Sequence, residues 1–199
     1  IDTKLQIPQI HASLVQRPLL SSLLDQAAQH KLTIISAPAG YGKSTLLSTW
    51  SLVRQETMLW ISLDRGDNDL NRFLTYLAAS LYKLDANLSR DLLEILENPQ
   101  PIAPENFITL WINQVAQINL PVFLLLDDYH LVEDNRIHAA LNFLLEYLPA
   151  NLHLIISSRE DPPLPLSKLR ARRQLLEIRG ASLSFSSTEI DALLNSHHI

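Results

Sequence analysis

The stretch Ala37-Pro38-Ala39-Gly40-Tyr41-Gly42-Lys43-Ser44-Thr45 indicates the fold class of this chain. It follows an apolar run at residues 32–35 and leads into a segment whose apolar residues have helical spacing. A glycine-containing loop between a strand and a helix can turn its backbone amides towards an anion, because glycine adopts unusual dihedral angles at little steric cost. The following helix adds its free N-terminal amides and the positive end of its dipole. The stretch therefore predicts a phosphate-binding loop.

Within this loop, Lys43 is expected to place its ammonium group on the outer phosphates, and Ser44 to place its hydroxyl on Mg²⁺. Ala37 stands where the G-x-x-x-x-G-K-[ST] pattern has its first glycine. That position ends the strand without cradling phosphate, so alanine fits there if its φ is negative. The alternative is a plain strand-to-helix turn containing two glycines. The predicted nucleotide-binding residues of the loop are Ala39, Gly40, Tyr41, Gly42, Lys43, Ser44 and Thr45.

A second signal is the apolar run 122–126, which ends in Asp127-Asp128. After a strand of this kind in a phosphate-loop protein, the first acid holds the Mg²⁺ shell, usually through water. A second acid beside it can orient or deprotonate the attacking water. The sequence therefore predicts Asp127, with Ser44, as a metal ligand and Asp128 as a catalytic residue. The alternative is a strand that ends in two solvated acids.

A third signal is an arginine at a polar strand end, where residues 154–156 run into Ser157-Ser158-Arg159. Ligands of open parallel sheets bind beyond the carboxyl ends of the strands, so Arg159 should lie on the phosphate side. An arginine there can detect the γ-phosphate and stabilise its charge during transfer, which makes Arg159 a second catalytic candidate. The alternative is a surface arginine paired with Glu160 or Asp161.

The fold class follows from five short apolar runs, at residues 32–35, 58–63, 122–126, 152–156 and 175–178. They are nearly continuous, as expected of strands buried on both faces of a parallel sheet. Apolar stripes with helical spacing separate them, one at residues 73–84, one at 137–148 and one in a helix running from Pro104 to about Gln117. The alternation predicts a three-layer α/β fold with a five-stranded parallel sheet.

The predicted organisation has three parts. Residues 1–30 contain a segment of helical spacing at 18–29, and residues 31–180 form the nucleotide-binding core. Residues 181–199 begin a further helical domain, because Ser186-Ser187-Thr188-Glu189 has the spacing of a helix-capping box. Since the chain starts at Ile1 and ends within a polar sequence, it is interpreted as a piece of a longer protein.

Composition excludes several classes of protein. The chain has 199 residues, 47% of them hydrophobic, which is enough for one α/β domain with a buried core. It contains no cysteine, which excludes disulfides and thiolate metal sites. A net charge of −5 argues against a free-standing nucleic-acid binder. No apolar run reaches the roughly 20 residues of a membrane helix, and no signal peptide opens the chain.

Three weaker features admit two interpretations each. The acids of residues 64–69 could position water or metal, but a solvated acidic turn is favoured. The basic residues of 168–173 could form a nucleic-acid patch, but a solvated or interdomain face is favoured. His130, after the paired acids, is interpreted as a hydrogen-bonded structural histidine in preference to a site residue.

With these motifs placed, the chain resembles the ATPase domain of the STAND class, in the group of MalT-like large LuxR-type transcriptional regulators. The resemblance spans nearly the whole chain, and Ala37 conforms to the pattern of this family. The matching residues are Lys4-Leu5 with Pro8, Leu14-Val15-Gln16-Arg17-Pro18, Ser36-Ala37-Pro38-Ala39-Gly40-Tyr41-Gly42-Lys43-Ser44, Trp60-Ile61-Ser62-Leu63-Asp64, Leu126-Asp127-Asp128-Tyr129-His130 and Ser158-Arg159-Glu160-Asp161-Pro162-Pro163-Leu164-Pro165-Leu166.

The resemblance implies a sheet of the added-strand type, in which the strand that ends at Arg159 lies between the phosphate-loop strand and the strand that ends at Asp127. It also implies that Val15 and Arg17 line the adenine and ribose side of the site. The implied ligands are ATP or ADP with Mg²⁺.

Proteins of this family exchange ADP for ATP to pass from a closed monomer to a multimer that activates transcription. The resemblance therefore implies a cytoplasmic, slowly hydrolysing switch that self-associates and reaches DNA only through domains outside this chain. A related module occurs attached to protein kinases, so the output domain stays open. Two further alternatives are a stand-alone ATPase whose product is chemical work and a nucleotide-sensing scaffold that does not hydrolyse ATP.

Overall fold

The computed structural model describes residues 2–9, 17–54, 56–97, 102–186 and 189–190. Five strands lie within these ranges: β1 (Leu32–Ser36), β2 (Thr57–Ser62), β3 (Val122–Asp127), β4 (Leu152–Ser158) and β5 (Leu175–Arg179). The helices are α1 (Pro18–Leu24), α2 (Lys43–Leu52), α3 (Leu70–Leu84), α4 (Ala86–Glu97), α5 (Pro104–Val115), α6 (Asn135–Glu146), α7 (Leu166–Ala171) and α8 (Gly180–Leu183). Short 3₁₀ helices cover Asp2–Leu5, Asp25–Gln29, Arg65–Asp67 and Tyr129–Leu131.

The five strands form one parallel sheet in the order β2-β3-β4-β1-β5. One row of leucines crosses all five strands in register: Leu59, Leu124, Leu154, Leu32 and Leu175. The predicted α/β fold class is confirmed, and so is the implied position of β4 between β1 and β3. This order brings the carboxyl ends of β1, β4 and β3 side by side.

Both faces of the sheet are buried, because alternate residues of each strand face different helices. On β3, Leu124 and Leu126 join a core with α3, α5 and α6. Phe123 and Leu125 join a second core with α1, α2 and α8. The nearly continuous apolar pattern of the strands has its physical origin in this double burial.

Strands β1, β3, β4 and β5 extend further at their carboxyl ends than their apolar residues predicted, whereas β2 ends one residue earlier than predicted. Ser36, Asp127, Ser157 and Ser158 all belong to strands and are all buried. A pattern of apolar residues stops where polarity begins, but the backbone hydrogen bonds of a sheet continue regardless of side-chain polarity. Buried polar side chains therefore lie at the carboxyl ends of the strands, and the site lies at this end of the sheet.

The helices agree with the expected stripes in most places. The helix predicted at residues 18–29 is divided into α1 and a 3₁₀ helix, and α5 ends at Val115, two residues early. Helix α4 was not predicted, although Leu92, Leu93 and Leu96 have helical spacing and pack on the first core. None of the helices in the described ranges is long and apolar enough to cross a membrane.

The capping box predicted near the end of the chain is present. The Ser186 N–H donates to Glu189 Oε2 at 2.7 Å, and the Glu189 N–H donates to Ser186 Oγ at 3.3 Å. These reciprocal bonds satisfy amides that a helix start leaves free. The three-part division of the chain stays a prediction.

Replacing Leu124 by alanine should destabilise the protein strongly, because its side chain is fully buried in the second strand of the sheet. We expect the free energy of unfolding to fall by about 2–5 kcal/mol, measured by urea denaturation. The matched control is Leu120→Ala, just before the same strand, where the side chain is 54% exposed. Its effect should stay within about 0.5 kcal/mol. Equal losses in the two variants would contradict the assignment of the core.

Candidate nucleotide-binding site

The phosphate loop between β1 and α2 depends on two glycines in the left-handed region. Gly40 has φ 85° and Gly42 has φ 72°, and a Cβ atom at either position would meet nothing within 4 Å. Dihedral strain, not lack of space, therefore favours glycine here. Ala37 still belongs to the strand ladder, since its N–H donates to the Ser158 carbonyl at 3.3 Å. Its place at the strand exit is consistent with the absence of a glycine there.

Lys43, the first residue of α2, is held by the loop itself. Its Nζ donates to the carbonyl oxygens of Ala37 at 2.8 Å and of Pro38 at 3.1 Å. Burial lowers the pKa of Lys43, and the positive charge of Arg159 acts in the same direction, while Asp128 and Asp127 oppose this effect. The ammonium group is thus placed beside the loop amides without an ion pair among the described residues.

Asp127 is the buried acid of the site. Its Oδ1 accepts a 3.0 Å hydrogen bond from Ser44 Oγ and a second hydrogen bond from Ser157 Oγ. Burial raises its pKa and the neighbouring charge of Asp128 adds to this, although both hydroxyls oppose the effect by stabilising the carboxylate. Within the described ranges no cation forms an ion pair with Asp127. Its carboxylate is therefore a buried charge with hydrogen bonds but no counter-ion.

This arrangement fits a Mg²⁺ ion bound together with phosphates. Ser44 and Asp127 offer two oxygen ligands close together. A cation would supply the positive counter-charge that the buried Asp127 carboxylate lacks among the described residues. In the part of the chain that the structure describes, no group of three or more His, Cys, Asp or Glu side chains could hold a metal. Mg²⁺ usually takes one or two protein ligands and fills its shell with water and phosphate oxygens.

Asp128 differs from Asp127 in backbone conformation and in exposure. Its backbone is left-handed, with φ 57° and ψ 38°, a conformation that aspartate tolerates better than most residues. The Asp128 N–H donates to Ser157 Oγ at 3.1 Å, so one serine contacts both acids. Its side chain is 46% exposed and lines the cavity at the phosphate loop. The two adjacent acids are therefore separated into one buried and one accessible carboxylate.

Arg159 lines the same cavity as Asp128, and this cavity has a volume of 380 Å³. Among the described residues its guanidinium has neither a hydrogen bond nor an ion pair, and Asp161 is paired with Arg179 instead. The alternative of an arginine paired with its neighbours Glu160 or Asp161 is thus not observed. The cavity is lined by Ala39, Gly40, Gly42, Lys43, Ser44, Thr45, Asp128 and Arg159.

Other cavities lie away from these residues. One of 420 Å³ lies between α6 and α7, and an open one of 680 Å³ lies beside the end of α2. Size alone would favour them, but neither includes the phosphate loop or the acids of β3. The basic segment borders the first through Lys168 and Arg172, while Arg170 is paired with Glu177. The choice between its two interpretations stays open.

The hydrogen bonds expected of His130 are not observed among the described residues. Both ring nitrogens are buried and have no hydrogen-bond partner in the described part of the chain, with Asp128 Oδ1 at 3.8 Å from Nδ1. The hydrogen-bonded histidine is His138, whose Nδ1 lies 2.6 Å from the Tyr129 hydroxyl. Burial lowers the pKa of His130, and the charges of Asp128, Arg159, Lys43 and Glu160 all act on it. His130 therefore belongs to the electrostatic surroundings of the site.

Three of the predicted nucleotide contacts lie elsewhere or outside the described residues. Val15 falls outside the described residues. Arg17 faces the end of the chain, where its Nη1 donates to the Leu183 carbonyl at 2.7 Å and its Nε to Glu189 Oε1 at 3.0 Å. Tyr41 does not line the cavity, and its ring lies against Gly180. Their roles in nucleotide binding stay predictions.

The acidic turn after β2 is solvated only in part, because Asp64 and Asp69 are exposed whereas Asp67 is not. Asp67 is fully buried and accepts hydrogen bonds from Lys4 and from the Tyr76 hydroxyl, the latter at 2.8 Å. Asp64 forms a reciprocal capping box with Asp67 and pairs with Lys4 at 2.8 Å. Contacts with a distant lysine, which adjacent sequence cannot reveal, make this turn part of the framework.

Solved structures with a similar backbone include an ATPase of the Walker type. A Walker-type ATPase of Pyrococcus abyssi has a TM-score of 0.63 with 15% identity, covering 92% of this chain and 57% of that chain. Cdc6p of Pyrobaculum aerophilum has a TM-score of 0.60 with 17% identity, covering 100% of this chain and 53% of that chain. At these identities the similarity establishes the fold alone.

Sequence relatives narrow the assignment. The HTH-type transcriptional regulator MalT of Vibrio cholerae is 34% identical over 196 residues, which cover 98% of this chain and 22% of that protein. MalT of Klebsiella pneumoniae is 35% identical over 189 residues, covering 95% of this chain and 21% of that protein. The chain is similar to one segment of the MalT regulators and has the fold of a P-loop ATPase. It spans about a fifth of the length of the curated relatives. No family model matches it.

Ser157 is a site residue that sequence reasoning did not identify, and its replacement by alanine tests its role in this domain. The change removes a hydrogen bond to buried Asp127 and the acceptor of the Asp128 N–H. We expect a loss of about 1–3 kcal/mol in the free energy of unfolding.

Ser48→Ala is the matched control, because the buried Ser48 hydroxyl has no hydrogen-bond partner among the described residues. That variant should remain within about 0.5 kcal/mol of the wild type or be more stable. Urea denaturation measures both, and a Ser157→Ala variant no less stable than Ser48→Ala would show that Asp127 does not need this bond.

Proposed function

We propose that this domain binds ATP with Mg²⁺, hydrolyses it slowly and acts as the nucleotide-operated switch of a regulatory protein. The observation that carries the proposal is the meeting of four side chains at one cavity: Lys43, Ser44, Asp128 and Arg159. Ser44 also donates to buried Asp127, and Arg159 has no partner among the described residues. Each group suits a different part of a nucleoside triphosphate with its metal.

Binding is proposed to centre on the loop from Ala39 to Thr45. The amides of the loop and of the first turn of α2 would receive the phosphate oxygens, and Lys43 would exchange its carbonyl partners for the outer phosphates. Ser44 and Asp127 would hold Mg²⁺. The metal, when bound, neutralises phosphate charge.

Hydrolysis is proposed to consume one water and convert ATP to ADP and phosphate. Asp128 would orient that water and accept its proton, which an exposed carboxylate without a hydrogen-bond donor of its own can do. Arg159 would stabilise the charge on the transferred group. Because none of the described residues donates a hydrogen bond to the Asp128 carboxylate, its orientation is poorly fixed, which supports slow turnover.

The regulatory part of the proposal is supported by the relatives, which are named as transcriptional regulators. Slow hydrolysis suits a switch, because the bound ATP must persist long enough for the longer protein to respond to it. ATP-dependent self-association and transcriptional control are proposed for the longer protein, with DNA contacted by other domains. A fast turnover would favour an ATPase that performs chemical work, and intact ATP after prolonged incubation would favour a non-hydrolysing scaffold.

Replacing Lys43 by alanine should abolish tight MgATP binding and leave the fold intact. The Lys43 ammonium donates to two carbonyl oxygens of the phosphate loop, and it forms no ion pair with a carboxylate in the described part of the chain. We expect ATP affinity to fall at least about 100-fold by isothermal titration, with an unchanged circular dichroism spectrum. Lys168→Ala, at a lysine outside the site, is the control and should bind like the wild type. Equal affinity of Lys43→Ala and wild type would refute the assigned site.

Replacing Asp128 by asparagine should retain ATP binding and slow hydrolysis. Asparagine preserves the size of the side chain and tolerates the left-handed backbone, and the metal ligands Ser44 and Asp127 are not altered. Loss of general-base assistance should reduce the single-turnover rate by about 10²–10⁴-fold. An unchanged rate would move the search for the base to another acid near the cavity.

A further inference from the structure

The backbone that carries Arg159 is held on both sides. On one side, the Glu160 N–H donates to Ser158 Oγ at 3.3 Å, which forms a tight turn at the end of β4. On the other, the Asp161 carboxylate receives both terminal nitrogens of Arg179, with Nη2 at 3.1 Å from Oδ2. We call the Asp161–Arg179 pair the clasp. Both contacts act within two residues of Arg159.

The clasp is itself anchored to the framework. Arg179, the last residue of β5, also donates to Glu177 Oε1 at 2.6 Å. Glu177 in turn accepts two hydrogen bonds of 2.9 Å from Arg170 of α7. Arg170 and Arg179 lower the pKa of Glu177 to about 2. Two bidentate contacts in one network are more effective than an isolated surface ion pair.

The Arg159 side chain, in contrast, has no partner among the described residues, so nothing but its backbone directs it into the cavity. Pro162 follows Asp161 and is buried, which restricts the backbone of Asp161 as well. A shift at Asp161 would thus be transmitted to Arg159 through a short, constrained segment.

We propose that Arg179 and Asp161 are positioning residues for Arg159: the clasp aims Arg159 at the γ-phosphate and so sets how well the domain distinguishes ATP from ADP. This inference rests on the proposed function. It assigns a task to a pair that contacts no nucleotide itself. The clasp acts through Arg159, so it matters for ATP and little for ADP.

The test is a double-mutant cycle on the 199-residue chain, with affinities for MgATP and MgADP measured by isothermal titration. Arg159→Ala should weaken ATP binding by about 10–150-fold and ADP binding far less, because only ATP presents the γ-phosphate. Asp161→Asn removes the negative charge of the clasp and keeps the size of the side chain at position 161. It should weaken ATP binding by about two- to fivefold and leave ADP binding unchanged. In the Arg159→Ala background, Asp161→Asn should have no further effect.

A matched control is available at Arg54, which also bridges two carboxylates, Asp25 and Glu56, but at the far end of α2. Arg179→Met should reproduce the effect of Asp161→Asn, whereas Arg54→Met should leave the ratio of ATP to ADP affinity unchanged. A ratio changed equally by both methionine variants would indicate a general loss of stability and overturn the inference.

Two further outcomes separate this inference from the function it rests on. If Arg159→Ala lowers ATP affinity but Asp161→Asn does not, or if Asp161→Asn still acts without Arg159, the clasp has no positioning role and the proposed site stands. If the wild type does not bind MgATP, or Arg159→Ala changes ATP and ADP affinity equally, the γ-phosphate role of Arg159 is lost and the clasp falls with it.

Discussion

The carboxylate of Asp127 lies where β3, β4 and the phosphate-loop helix meet, and the site depends on keeping this buried charge satisfied. Ser44 reaches it from α2 and Ser157 from β4. An unpaired buried charge is costly, so each hydroxyl is needed for stability as well as for geometry. Because β4 lies between β1 and β3, a single serine can hold Asp127 and the backbone of Asp128 together.

The site therefore combines side chains that are fixed by hydrogen bonds with side chains that are not. Lys43 and Asp127 are buried and hydrogen-bonded, and they fix where phosphate and metal would lie. The side chains of Asp128 and Arg159 line the cavity without a hydrogen bond from the described residues. Groups without fixed partners can respond to what is bound, and these two are the ones proposed to contact water and the γ-phosphate. The division suits a slow switch better than a fast catalyst, which would hold its base rigidly.

The site is also connected to the end of the chain. Arg179 of the clasp is followed directly by α8, which starts at Gly180 beside Tyr41 of the phosphate loop. At the other end of α8, Arg17 donates to the backbone carbonyls of Leu183 and Ser184 and to the Glu189 carboxylate. A contiguous set of contacts thus joins the phosphate loop and the carboxyl end of β4 to Arg17 and Glu189. These contacts supply the physical connection that a switch would need.

The local sequence alone determined the fold class, the five strands and the phosphate loop, because these depend on short-range patterns of burial and glycine placement. The position of β4 between β1 and β3 was predicted from the resemblance to the family, not from the local sequence pattern. Only the tertiary structure revealed Ser157 as a site residue and Lys4 as the partner of buried Asp67. It also showed that His130 has no hydrogen-bond partner among the described residues and that Arg17 bonds Glu189. Each of these contacts joins residues far apart in sequence or depends on which way a side chain turns. A periodic pattern specifies which face a residue occupies, whereas its polar partner is decided by the packing of distant segments.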